Sequence, residues 1–256
     1  MTVQIDRRDR RQTLIGFGGA FTEAAAVNFA MLPAAAQQRV VDLYWGAGGL
    51  GYTLGRVPIN SCDFSVAPYN FDGVAGDWDL LHFDDSVAHD VFSGLIPMLQ
   101  RAAAAATEGG RTPLRLFGSP WSPPAWLKAP ILDHAAAAAA AGGPQEGSMD
   151  GSAAPEGLKR SAAAQATWAA YLSRWAGAYA AHGLPLWGLT VQNEPEFAAP
   201  WEACKFNASF EASFVRDFLG PKLRADHPTL KLMAFDHNKD HLEVNRGGHH
   251  GCEPWA

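Results

Sequence analysis

The residue with the clearest claim to chemistry is Glu194, near the end of Leu186-Trp187-Gly188-Leu189-Thr190-Val191-Gln192-Asn193-Glu194-Pro195. Leu186 to Val191 is a mainly apolar run of strand length, as expected of a parallel strand covered on both faces. Pro195 lacks the N–H that would continue a ladder. Asn193 and Glu194 are thereby placed where the strand stops, the end at which barrels of parallel strands carry their catalytic side chains. Asp63, in Asn60-Ser61-Cys62-Asp63-Phe64-Ser65, follows a second apolar run that ends at Ile59. An aspartate there also suits a local turn with its own backbone. Arg56 lies inside that run, and a guanidinium in a buried strand needs a carboxylate or carbonyl partner. A carboxylate-lined site supplies one. Trp121 stands directly past a third strand end, in Pro120-Trp121-Ser122-Pro123-Pro124-Ala125-Trp126-Leu127-Lys128. Three prolines stiffen this loop so that an indole face can be held against a ligand. Trp126 reads instead as an ordinary packed tryptophan.

Other chemistries fit less well. His237 and His241 are four residues apart but have no third ligand at a sensible spacing, which leaves a surface pair and no metal site. Cys62, Cys204 and Cys252 are too few and scattered for a disulfide framework and read as buried free thiols. Gly16, Gly18 and Gly19 lack the third glycine and the later acidic residue of a dinucleotide site. A backbone passing close to its neighbours accounts for them equally well. A net charge of −6, with no basic stripe, argues against nucleic acid as a partner. No apolar run approaches membrane-helix length. The first residues show no signal peptide, so either the protein is not secreted or its true start is missing. The sequon Asn207-Ala208-Ser209 is too short a pattern to fix a compartment.

The elements that must position these residues alternate. With 256 residues, 48% of them hydrophobic, the chain can bury one sizeable core. Strands are expected at Val3 to Ile5, Thr13 to Gly19, Gly51 to Ile59, Thr112 to Ser119, Leu186 to Val191 and Leu230 to His237. Helices are expected from Glu23, capped by Thr22, then at Ala34 to Tyr44, Val91 to Ala106, Ser161 to His182 and Ser209 to Arg224. Trp168, Leu172, Trp175 and Tyr179 recur at helical offsets and read as the face packed on the sheet. Pro68 to Ser86 is a long loop, and the alanine-, glycine- and proline-rich Asp133 to Gly157 reads as a low-complexity excursion. Strand, helix, strand in repetition specifies an α/β fold with a parallel sheet. Its polar strand ends favour a (β/α)8 barrel of the TIM type, truncated after about five strands. Glu243 to Ala256 is aperiodic and starts no further strand.

Four stretches, in order, resemble the glucosylceramidase branch of glycoside hydrolase family 30. They are Phe17-Gly18-Gly19-Ala20-Phe21-Thr22-Glu23, Arg56-Val57-Pro58 with Ser61-Cys62-Asp63-Phe64-Ser65, the Ser119 to Lys128 loop, and Asn193-Glu194-Pro195. Leu219-Gly220-Pro221 and Phe235-Asp236-His237 continue the resemblance, which runs from Thr13 to Leu242. It implies a retaining hydrolase of glucosylceramide or a related β-glucoside, hence a lipid substrate at a membrane surface, with no cofactor and a lysosomal or secreted location. It further implies an eight-fold barrel over residues 13–242, here partial, with residues 1–12 giving a strand to a small β domain and 243–256 an unmatched tail. Position by position, Glu194 matches the general acid/base and Asn193 a contact to the sugar 2-hydroxyl. Asp63 and Trp121 match sugar-contacting residues, and Arg56 a charged group of the site floor. A retaining mechanism needs a second carboxylate about 5 Å from the first, and the acid must hold its proton at working pH. The family's nucleophile is a later glutamate that nothing here matches; Glu253 stands in an unlike context. The chain is accordingly expected to be the amino-terminal part of such an enzyme, inactive alone. Two other readings stand beside it: a non-catalytic sugar- or glycolipid-binding fragment, and another retaining barrel glycosidase such as a glucanase or xylanase.

Overall fold

The computed structural model describes residues 6–130, 148–153 and 156–239. The strand expected at Val3 to Ile5, much of the Asp133 to Gly157 excursion, His241, Cys252, Glu253 and the whole tail lie outside the described residues. Five strands form one sheet: β1 (Gly18–Ala20), β2 (Leu54–Ile59), β3 (Arg115–Pro120), β4 (Leu186–Thr190) and β5 (Lys231–Met233). Their spatial order is their chain order and every pairing is parallel. Parallel neighbours cannot be joined by hairpins, so each connection must cross over, and helices do this. The crossovers are α1 (Glu23–Ala30) with α2 (Ala34–Tyr44), α3 (Ala88–Phe92) with α4 (Leu95–Thr107), and α5 (Ala162–Ala181). The fourth is α6 (Ala208–Phe214), a π-helical turn (Val215–Leu219) and α7 (Gly220–Asp226). An unbroken sequential order, with no switch point, is barrel topology and not that of a doubly wound sheet.

Local sequence explains most of the boundaries. Thr22 caps α1 through its hydroxyl, which accepts the Ala25 N–H at 3.2 Å. Ser161 and Asn207 do the same for α5 and α6, each satisfying an amide that has no partner within its helix. The helix expected from Val91 to Ala106 is two helices, because Gly94 between them takes a left-handed φ of 86°. The apolar face of α5 is core as expected: Trp168, Leu172, Trp175 and Tyr179 are all completely buried. Burial of Leu172 alone stabilises the fold by about 1.5–3 kcal/mol. Gly118 of β3 makes room for this face, since a Cβ there would lie 2.7 Å from the Trp175 ring.

The glycines near the start are also explained by close approach. A Cβ on Gly18 would sit 1.7 Å from the Leu54 carbonyl oxygen, so β1 can lie this close to β2 only without a side chain there. Two strands are shorter than the sequence suggests. The strand begins at Gly18; just before it the Phe17 carbonyl reaches across to the Thr53 and Leu54 amides, and Leu14, Ile15 and Phe17 are exposed beside β1. β5 stops at Met233, and two residues later Phe235 turns through a φ of 54°, which no strand residue adopts.

Candidate active site

Parallel strands put their carboxyl-terminal ends on one rim, and the residues just past those ends meet there. Arg56 sits within β2 opposite Phe117. Its Nη2 lies 2.6 Å from Asp236 Oδ2, 2.7 Å from Asn193 Oδ1 and 2.9 Å from Ser119 Oγ. The Ser119 hydroxyl donates to the same Asp236 oxygen at 2.6 Å and accepts from Thr190 Oγ1 at 2.8 Å. The guanidinium carbon stands 4.3 Å from the centroid of the Trp121 ring, close enough for a cation–π contact. One cation therefore gathers the ends of β2, β3 and β4 and the residues beyond β5. The acidic partner that Arg56 requires is Asp236.

The backbone is laced across the same rim. The Asn193 N–H donates to the Pro120 carbonyl and the Glu194 N–H to the Asp236 carbonyl, each at 2.8 Å. Gln192 Nε2 donates to the Trp121 carbonyl, also at 2.8 Å. Within this frame Glu194 takes a left-handed φ of 43°, unusual for a residue with a side chain. Such strain costs of order 1–3 kcal/mol and persists only where the surroundings over-determine it. The Glu194 side chain is 36% exposed, so its carboxyl is open to a ligand at the rim, and its Oε1 lies 4.0 Å from His237 Nδ1.

Arg56, Trp121, Asn193 and Glu194 are thus brought together. Asp63 is not in this network: it is exposed in the loop after β2. Nor does it make the backbone turn its position suggested. Ser65 shapes that turn instead, its hydroxyl accepting the Cys62 N–H at 3.1 Å. The loop is pinned from below by the buried Glu23, which accepts from the Val66 N–H and meets His89 Nε2, each at 2.9 Å. Trp126 is packed, its indole N–H donating to the Asp72 carbonyl at 2.9 Å. The expected surface placement of His237 is corrected: its side chain is 10% exposed and stands edge-on to Phe235. Its Nδ1 has no hydrogen-bond partner among the described residues. Cys62 and Cys204 are buried free thiols, and burial pushes them up to about 11 and about 12.

Sequence reasoning did not single out Asp236, Ser119 or Thr190. The signals were the need of Arg56 for a carboxylate, which points to an acid at a neighbouring strand end, and the place of Asp236 in the stretch Phe235-Asp236-His237, which gave it no role.

A sequentially ordered parallel sheet wound with helices, with the Glu194 carboxyl and the buried Trp121 past its strand ends, defines the class: part of a TIM-type α/β barrel with its site at the rim. Residues 14–245 match the glycosyl hydrolase family 30 TIM-barrel domain, and the chain belongs to that family. It is 36% identical over 242 residues to "Putative glucosylceramidase 3" of Caenorhabditis elegans, covering 92% of this chain and 42% of that protein. With the lysosomal acid glucosylceramidase of Mus musculus it shares 30% identity over 229 residues, 88% of this chain and 40% of the relative. The solved structure of SrfJ from Salmonella typhimurium superposes with a TM-score of 0.75 at 30% identity, over 93% of this chain and 49% of SrfJ. The chain spans less than half the length of each of these proteins.

Proposed function

We propose that this chain carries the acid/base half of a retaining β-glucosidase site, and that the whole protein acts on glucosylceramide or a closely related β-glucoside. The observation that carries the reading is Glu194 held at the rim beside Trp121 and Asn193, with its backbone fixed to Asp236. In the first step the Glu194 carboxyl gives its proton to the glycosidic oxygen as the bond to the anomeric carbon breaks. A second carboxylate, about 5 Å away, forms the glycosyl ester. In the second step water attacks that carbon, the ester bond breaks, and the Glu194 carboxylate takes the proton from the water. Trp121, with Arg56 over one side of its ring, offers its other side to the sugar. Asn193 offers the 2-hydroxyl the NH2 of an amide whose oxygen Arg56 holds, and Asp63 a carboxylate for other hydroxyls once sugar is bound. Arg56 holds the floor. Residues 13–242 are read as the partial catalytic barrel.

The names of the two relatives, both glucosylceramidases, favour a β-glucoside of a sphingolipid over other sugars. No residue of this chain is assigned as nucleophile, so the chain alone is expected to bind and not to turn over. The test is calorimetric titration of the purified chain with a β-glucoside, together with a fluorogenic β-glucoside assay. Binding that is lost in Trp121→Ala, with no turnover, is the expected result. Absence of glucoside binding by the folded chain refutes the sugar site, whereas turnover abolished by Glu194→Gln shows the chain to be self-sufficient.

A further inference from the structure

Glu211, on α6, is completely buried, a costly place for a carboxyl. One of its oxygens accepts the Phe235 N–H at 3.2 Å, and the other has no partner among the described residues. Burial pushes the group up to about 7, with Glu196 and Asp236 acting in the same direction and the Phe235 N–H opposing them. An apolar side chain would fill this part of the helix at less cost. The single bond Glu211 makes is therefore the clue to its role. Phe235 is where the chain leaves β5 through its left-handed turn, and the next residue, Asp236, holds Arg56 and Ser119 by its side chain and the Glu194 amide by its carbonyl. One backbone step separates the Glu211 bond from all three contacts.

We propose that Glu211 is a positioning residue for Glu194: its buried carboxyl fixes the Phe235 amide, which sets the Asp236 corner that in turn holds the Glu194 backbone. This rests on the reading of Glu194 as the proton donor. Because the acceptor oxygen matters and the charge does not, glutamine should replace Glu211 where leucine cannot.

The test is residue-resolved amide hydrogen exchange on the full chain and on Glu211→Leu and Glu211→Gln. In Glu211→Leu the protection of the Phe235 and Glu194 amides should fall together by about tenfold, the scale of one lost hydrogen bond. Amides within β2 to β4, such as those of Val57, Leu116 and Leu189, should not change. Glu211→Gln should return both rim amides to within about threefold of wild type. The proposal is overturned if the Glu194 amide is indifferent to the opening of Phe235, if glutamine behaves as leucine does, or if protection falls throughout the sheet. Should Glu211→Leu fail to fold, the wild-type chain still decides: the two amides must exchange within about threefold of each other, and a spread beyond about tenfold refutes their coupling. No sugar enters these measurements, so their failure is distinct from a failure of glucoside binding.

Discussion

Arg56 shows how much one side chain can hold. Its guanidinium meets Asp236, Asn193 and Ser119 and lies over Trp121, so its removal leaves an acid, an amide and a hydroxyl without their common partner. Arg56 and Asp236 are each about a quarter exposed, which moderates the penalty. Arg56→Met should lower unfolding stability in urea by about 1–3 kcal/mol. Arg56→Lys should recover only part of this, since an ammonium lacks the planar fork and its stacking on the indole. Asp90 makes a different prediction. It is completely buried and accepts from the hydroxyls of Tyr69 at 2.9 Å and Tyr179 at 2.5 Å. Burial pushes its carboxyl from 3.8 up to about 6. A folded-state value raised above the unfolded one means that the unfolded chain ionises first as pH rises. The contribution of Asp90 is therefore fully present below about pH 4 and is lost progressively up to about pH 6, by on the order of 2–3 kcal/mol. Urea midpoints measured across that window should fall more steeply in the wild-type chain than in Asp90→Asn, where the raised Glu211 carboxyl still contributes a fall.

Elements were legible where the cause is local. The aromatic face of α5 is written in offsets of three and four, and Thr22 and Ser161 announce helix starts because their hydroxyls can reach an amide three residues on. The tight fit of that face against β3 yields a test. Gly118→Ala would place a methyl 2.7 Å from Trp175 and 3.0 Å from Ile59, both buried, so it should destabilise the chain by about 1–3 kcal/mol. A thermal midpoint unchanged by this substitution would mean that α5 sits looser than its contacts imply. Legibility ends where the cause is tertiary. Hydrophobic pattern runs through Gly94 without registering the positive φ that divides α3 from α4. Nothing around Phe235 marks a left-handed residue, because that turn is held by Glu211, 24 positions earlier. The rim followed the same rule: Glu194 was readable from its strand and proline, while Asp236 stood in a recognisable stretch and takes its role from the side chain that grips it. Asp63 stood in a recognisable stretch, yet its side chain faces solvent.

At the scale of the molecule, the five-stranded sheet has two edges among the described residues, and their chemistry differs. β5 is three residues long and carries the exposed Lys231, a charge that discourages another strand from pairing. β1 is equally short, but it consists of Gly18, Gly19 and Ala20 and is preceded by exposed Leu14, Ile15 and Phe17. An unpaired edge gives free N–H and carbonyl groups, and adjacent apolar surface supplies the driving force for covering them. Association of the isolated chain should therefore run through the β1 edge. Sedimentation velocity at rising protein concentration should show reversible self-association that weakens in Phe17→Lys and in Ile15→Lys. Lys231→Ala should leave it unchanged or strengthen it by uncovering the second edge. A chain that stays monomeric at all concentrations would show that three-residue edges are too short to recruit a partner. Equal association by wild type and Phe17→Lys would place the contact elsewhere on the surface.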